Sequence, residues 1–222
     1  MHVRTDSNVF RKCNLAFTLV ELLVVVGIMA MVVSFVAPAV TGIFRGSQLT
    51  QAGQIVSEQL GQARQAAITQ NRTVQVRFYK FGDPGTPGQN SKASSTWAFQ
   101  AMQSFVISDG GTIVPLGKVA LLPQGIIIDG NVALSSVLGS GRPYITTQTI
   151  PVPRVGTSYA YYPVNFHPNG STDLSTTING ANQLWFLTLH SAVYGVNLAT
   201  QPINFWTIQI DPINGLLAGY HP

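Results

Sequence analysis

Residues 60–78 read LGQARQAAITQNRTVQVRF, and the hydrophobic period changes inside them. Up to this point apolar residues recur at steps of three and four: Leu49, Ala52, Ile55 or Val56, Gln59 or Leu60, Ala63, and Ala66 or Ala67. That spacing puts one apolar stripe along a helix. After Arg72 the period becomes two, with Thr73-Val74-Gln75-Val76-Arg77-Phe78 alternating as a half-buried strand does. A helix therefore ends near Asn71 and a sheet begins, and the rest of the chain can be read outward from this corner.

Upstream, Leu22 to Val40 contains no charged residue. Nineteen residues of helix span about 28 Å, close to the hydrocarbon thickness of a bilayer. Arg11 and Lys12 precede the run and Arg45 follows it, and the positive-inside bias places the amino end in the cytoplasm. No loop composition separates this run from the amphipathic stripe. One helix is expected from about Phe17 to Asn71, apolar on all sides first and amphipathic afterwards. Pro38 falls inside it and is expected to kink it. A secretory signal peptide would be shorter and would end in a small-x-small cleavage site.

Downstream, strands are expected at Trp97–Ile107, Thr112–Leu122, Ile126–Asp129, Tyr159–Phe166, Gln183–His190 and Asn204–Ile210. Turn signals stand between them, with DGG at 109–111, DGN at 129–131, PNG at 168–170 and DPING at 211–215. The stretches 82–96 and 139–153 have loop composition. The fold class is therefore α+β: a long amino-terminal helix, transmembrane then amphipathic, packed on a mainly antiparallel, β-sandwich-like domain.

Composition agrees with a chain that is only partly in water. Of 222 residues, 45 % are hydrophobic and 9 % charged, against about 25 % charged in an ordinary soluble domain. From Phe17 onward nine bases face seven acids, so no basic footprint for nucleic acid exists. Residues 183–222 contain no Lys or Arg at all, which argues against phosphate contacts there. The single cysteine, Cys13, excludes an internal disulfide and any Cys-based metal site.

Catalytic chemistry is not legible. His167, His190 and His221 stand alone, without ligand spacing, and read as strand-edge or surface histidines. Four of the five acids after the helix precede Gly or Pro (Asp83, Asp109, Asp129, Asp211), so they read as turn formers and not as acid/base pairs. No phosphate loop, nucleophile elbow or dinucleotide fingerprint is present. No catalytic residue, cofactor or metal site is expected, and the chain is read as a non-enzyme.

Ala16-Phe17-Thr18-Leu19-Val20-Glu21-Leu22-Leu23 resembles the processing site of type IV prepilins and type II secretion pseudopilins. In that family a membrane-embedded prepilin peptidase removes a short basic leader before a Phe and methylates the new amino group. A Glu stands at the fifth mature position. The resemblance implies a cut between Ala16 and Phe17, N-methylation of Phe17, and a role for Glu21 in subunit assembly. Pro38 sits where many such helices carry a proline. The residue before the cut is usually Gly, and Ala16 departs from that pattern. LGQARQAAITQNRTVQVRF, NFHPNGS (165–171) and TIQIDPINGLL (207–217) resemble parts of the GspH/FimT group of minor pseudopilins. The length and the lack of mature cysteines suit the Verru_Chthon cassette protein D type.

The resemblance implies a prepilin leader at 1–16, a transmembrane or filament-core helix at 17–44, an amphipathic helix at 45–72 and a globular β domain at 73–222. It implies a minor pseudopilin or minor pilin-like structural subunit. Its partners would be the peptidase, other pilins in a helical filament and, indirectly, an assembly ATPase and inner-membrane platform. It would sit in a bacterial inner membrane with the amino end cytoplasmic and the β domain periplasmic, then in a periplasmic or surface filament. The alternatives are a DNA-binding minor pilin for DNA uptake and a signal-anchored surface binding protein.

An acid in an oily run needs a physical account. At the first turns of a helix the amide dipole favours an anion by about 0.3–1 kcal/mol. In an apolar filament core Glu21 could meet the Phe17 ammonium of a neighbour, a pairing that fixes register more than it adds stability.

Overall fold

A computed structural model describes residues 18–82, 97–139, 150–153, 155–157, 159–178, 181–182 and 184–222; the side chains of 35–45, 178, 181 and 182 lie outside the description. The chain divides into two compact units, Met1–Ile43 and Phe44–Pro222. A single helix, α1, runs Leu19–Gln70 and contributes to both, and it is assigned without a break through Pro38.

The described part of the first unit is the start of α1. Its apolar side chains from Leu19 to Val33 are all exposed, between 42 % at Val25 and 79 % at Leu19. Ser34 returns its hydroxyl to the Met31 carbonyl at 2.7 Å, the local bond that lets a serine sit inside an apolar helix.

In the second unit α1 ends as its sequence dictates. Asn71 takes a left-handed φ of 50°. The Arg72 N–H reaches back to the Ala67 carbonyl at 3.2 Å and the Asn71 N–H to that of Ile68 at 3.4 Å, a Schellman closure with Asn in the usual glycine place. The chain then enters β1 (Val74–Phe81).

The strands that follow are β2 (Ala98–Ile107), β3 (Ile113–Pro115), β4 (Ala120–Leu121), β5 (Ile126–Ile128), β6 (Ala160–Phe166), β7 (Thr177–Ile178), β8 (Ala181–Asn182), β9 (Trp185–Ser191), β10 (Phe205–Ile210) and β11 (Leu217–Tyr220). Nine of them form one sheet in the order β11-β10-β9-β5-β2-β1-β6, with β3 and β4 also on β2, while β7 and β8 pair separately. Every pairing is antiparallel. The fold class is the expected α+β, a helix with a mainly antiparallel sheet. Thr112–Leu122, expected as one strand, is two short ones, because Gly117–Val119 leaves the ladder between them. The hairpin β7–β8 was not foreseen.

The helix stripe resolves as Leu49, Ala52, Val56, Leu60, Ala63 and Ala67, all buried. They pack with Val74, Val76 and Phe78 of β1, Leu187 and Leu189 of β9, and Ile208 and Ile210 of β10. Small residues bring helix and sheet close. A Cβ on Gly53 would lie 2.5 Å from Cδ2 of Trp206, so the indole lies flat against bare helix backbone.

The other face of the sheet carries a second cluster: Tyr79, Phe81, Ala101, Phe105, Val152, Val155, Tyr159 and Tyr161. The Tyr run 159–162 thus splits between the two faces, Tyr162 joining the helix side. Burial, then the nearby Tyr159, pushes the Tyr79 hydroxyl far above the ordinary tyrosine range, and Arg77 only partly offsets this. Burial also raises Tyr159 and Tyr162. The folded chain therefore holds these phenols protonated. Its stability is expected to be level with respect to them below the unfolded tyrosine pKa of about 10 and to fall as pH rises above it. Phenolate absorbance should appear late and together with unfolding; early ionisation of all tyrosines in a still-folded chain would contradict this.

Candidate functional site

The amino-terminal turn of α1 is built by Thr18 and Glu21. Thr18 stands just before the first helical residue, and its hydroxyl accepts the Glu21 N–H at 3.2 Å. The Leu22 N–H closes the first helical bond on the Thr18 carbonyl at 3.2 Å. Thr18-Leu19-Val20-Glu21 thus has the form of a capping box, with Thr at the cap and Glu three residues on. The sequence reading missed this role for Thr18, although the T-x-x-E spacing before an apolar run signals it. The side chain of Glu21 is exposed, at the end of the helix where the dipole favours an anion. Ala16 and Phe17 lie outside the described residues, as does the Pro38 side chain.

Residues 11–37 match the family model described as the prokaryotic N-terminal methylation motif. The amino-terminal segment carries that motif. Among solved structures the chain is similar to the minor pseudopilin EpsH from the type 2 secretion system of Vibrio cholerae, with a TM-score of 0.41 and 11 % identity over 79 % of this chain and 98 % of that one. It is also similar to the type IV minor pilin FimU of Pseudomonas aeruginosa, with a TM-score of 0.41 and 11 % identity over 79 % of this chain and 93 % of that one. At so low a similarity neither likeness carries an argument of its own. No curated protein matches the chain.

Among the described residues no helix is long and apolar enough to cross a membrane. The described side chains of its apolar run stop at Ser34. Among the described residues no three His, Cys, Asp or Glu side chains gather as metal ligands.

Two other polar constructions lie in the sheet, and the first corrects the sequence reading. His190, taken for an edge or surface histidine, is wholly buried beside Asp129, itself wholly buried. His190 Nε2 meets Asp129 Oδ2 at 2.8 Å. Its Nδ1 lies 2.9 Å from the Ser191 carbonyl, which can only accept, so Nδ1 carries a hydrogen. Asp129 Oδ2 also accepts the Leu198 N–H at 3.0 Å. Its Oδ1 accepts the Asn131 N–H at 2.6 Å. Asp129 is thus a turn former, as expected, and also half of a buried pair joining β5, β9 and the loop before β10.

The second construction is Arg77, 6 % exposed. Its guanidinium lies between the rings of Phe105 at 4.3 Å and Tyr161 at 4.5 Å. Its Nε donates to Gln75 Oε1 at 2.8 Å, Gln75 Nε2 donates to Asn165 Oδ1 at 3.1 Å, and Asn165 Nδ2 donates to Asp173 Oδ2 at 2.6 Å. By contrast, the Arg72–Asp109 bridge at 3.0 Å is solvent-exposed and contributes little.

Proposed function

We propose that this chain is a minor pseudopilin or minor pilin subunit, a structural component of a type II secretion or type IV pilus-like filament and not an enzyme. One observation carries the reading. Within the methylation motif, twelve large apolar side chains between Leu19 and Val33 are exposed in the isolated chain. Such a surface is stable only when lipid or other apolar helices cover it. A helix that first lies in the inner membrane and then in a filament core meets both needs. On this reading prepilin peptidase cuts between Ala16 and Phe17 and methylates Phe17. Pro38 allows the helix to bend, and the β domain lies outside the cytoplasm.

Glu21 pairs with the Phe17 amine of a neighbouring subunit. Its competing role is the capping box, and the two roles separate cleanly. Gln serves a capping box as well as Glu does but cannot pair with an ammonium as an ion. Mass analysis of the mature chain should show a methylated Phe17 at its amino end. Glu21→Gln and Glu21→Ala should both insert and be processed normally, yet fail to enter the filament. Normal incorporation of Glu21→Gln would leave Glu21 a helix cap and overturn the pairing. An uncut chain would overturn the processing.

A further inference from the structure

The nine-stranded sheet has two edges, β6 and β11, and they are treated in opposite ways. On β6 the outward N–H of Asn165 is taken by Asp173 Oδ1 at 3.0 Å, and its outward carbonyl by the Asp173 N–H at 3.1 Å. Two residues away Pro163 has no N–H to offer. A capping acid and a proline are the usual means of blunting an edge.

On β11 neither device is present. The Asp211 N–H donates to the Leu216 carbonyl at 2.9 Å. Hydrogen-bonded pairs alternate along an antiparallel ladder, so Ala218 and Tyr220 bond across to Gln209 and Thr207 in the observed register. Leu217 and Gly219 therefore turn their N–H and carbonyl groups outward, and no described group meets them. Residues 217–220 carry no charge and no proline, and Asp211 is the only charged residue from 183 to the end. The same edge has an unused donor. Trp206 Nε1 is buried without a hydrogen-bond partner. It lies 3.4 Å from where a Cβ on Gly219 would stand, on the face that β11 shares with Trp206.

We propose that the β11 edge is a docking site for an extended, uncharged strand from a different subunit. The strand bonds the outward groups of Leu217 and Gly219. It sets a hydroxyl or amide side chain opposite Gly219, where the absent side chain leaves room, to accept from Trp206 Nε1. A second copy of this chain is a poor occupant. Its β6 edge is already closed. Pairing β11 with β11 needs a two-fold axis perpendicular to the sheet, which would reverse the helix lying along it. Subunits anchored in one membrane cannot be so related; this exclusion rests on the function proposed above.

The test uses the full chain in detergent micelles and the peptide Ac-Val-Thr-Val-Thr-Val-NH2 as the probe. The expected result is a saturable shift of the Leu217 and Gly219 amide signals and of the Trp206 indole N–H signal. The same peptide N-methylated at alternate residues should bind at least tenfold more weakly. Gly219→Pro removes an outward N–H, fills the space beside the Trp206 indole at ordinary contact distance and keeps the β10–β11 bonds, so it should retain the wild-type unfolding midpoint and lose binding at least tenfold. Equal binding of the N-methylated peptide, or no response of the wild-type chain, would overturn the proposal whatever the folding of Gly219→Pro. Dimerisation of the chain through β11 would overturn the choice of occupant. Processing at Phe17 and the Glu21 phenotypes are read independently, so failure here is distinguishable from failure of the subunit assignment.

Discussion

Asp129→Ala is expected to lower the unfolding free energy of the chain by about 3–5 kcal/mol, the range for removing one partner of a buried salt-bridging pair. The carboxylate meets His190 Nε2 at 2.8 Å and both partners are fully shielded from water. Its removal leaves the imidazole facing a hole. It also strips the Asn131 and Leu198 N–H groups of their acceptor. Urea unfolding of the full chain in micelles measures the loss. Asp129→Asn keeps an acceptor oxygen for one of the two backbone donors and should fall between alanine and wild type. A double Asp129→Leu/His190→Leu variant should recover part of the loss, because removing both partners is far cheaper than stranding one. A loss below about 1 kcal/mol for Asp129→Ala would place the pair with exposed ones in energetic effect.

Gly53→Ala should destabilise the chain by about 1–3 kcal/mol, the usual effect of overpacking. The sign is what makes this test sharp. In an open helix interior the same change stabilises by about 0.5–1 kcal/mol, since alanine is the better helix former. Here the new methyl would overlap the Trp206 ring, with three ring atoms 2.5 to 2.7 Å from the ideal Cβ. The ring is aromatic and rigid, so it must tilt as a body or push the helix off the sheet. Combining Gly53→Ala with Trp206→Leu should restore the ordinary sign relative to Trp206→Leu alone. Unfolding midpoints of the four chains decide it.

The helix and its corner were legible because their causes are local. Steps of three and four from Leu49 to Ala67 select one face of a helix, and β-branched alternation from Thr73 selects a strand. The residue that ends the helix, Asn71, is one of the few types that tolerate a left-handed φ. The methylation motif was legible for a similar reason: its letters are contiguous. The choice between Val56 and Ile55, or Ala67 and Ala66, was not, because both lie within one helical step and only the sheet decides between them. His190 was misread because its partner is 61 residues away. Asp129 directly follows β5 and His190 sits near the end of β9, and only the pairing of Ile127 with His190 brings the two ends together. The capping role of Thr18 was there to be read, and the stronger message of the neighbouring motif obscured it. The openness of β11 depends on strand order, which no local pattern encodes.

The line from Arg77 through Gln75 and Asn165 to Asp173 has one more consequence. All three bonds run in the same sense, each amide accepting on the side of the cation and donating on the side of the anion. The two amides are therefore oriented dipoles set in series between opposite charges, and each is polarised by both ends. The first bond lies within β1, the second crosses from β1 to β6, and the third ties β6 to the turn after it. An outer strand would ordinarily be the first part of a sheet to fray. Here, lifting β6 away opens the series at its middle and leaves a shielded cation facing an unoriented amide. Opening of that edge is thereby coupled to the loss of charge compensation on the next strand, so β6 should exchange its amide hydrogens with the core of the sheet and not ahead of it.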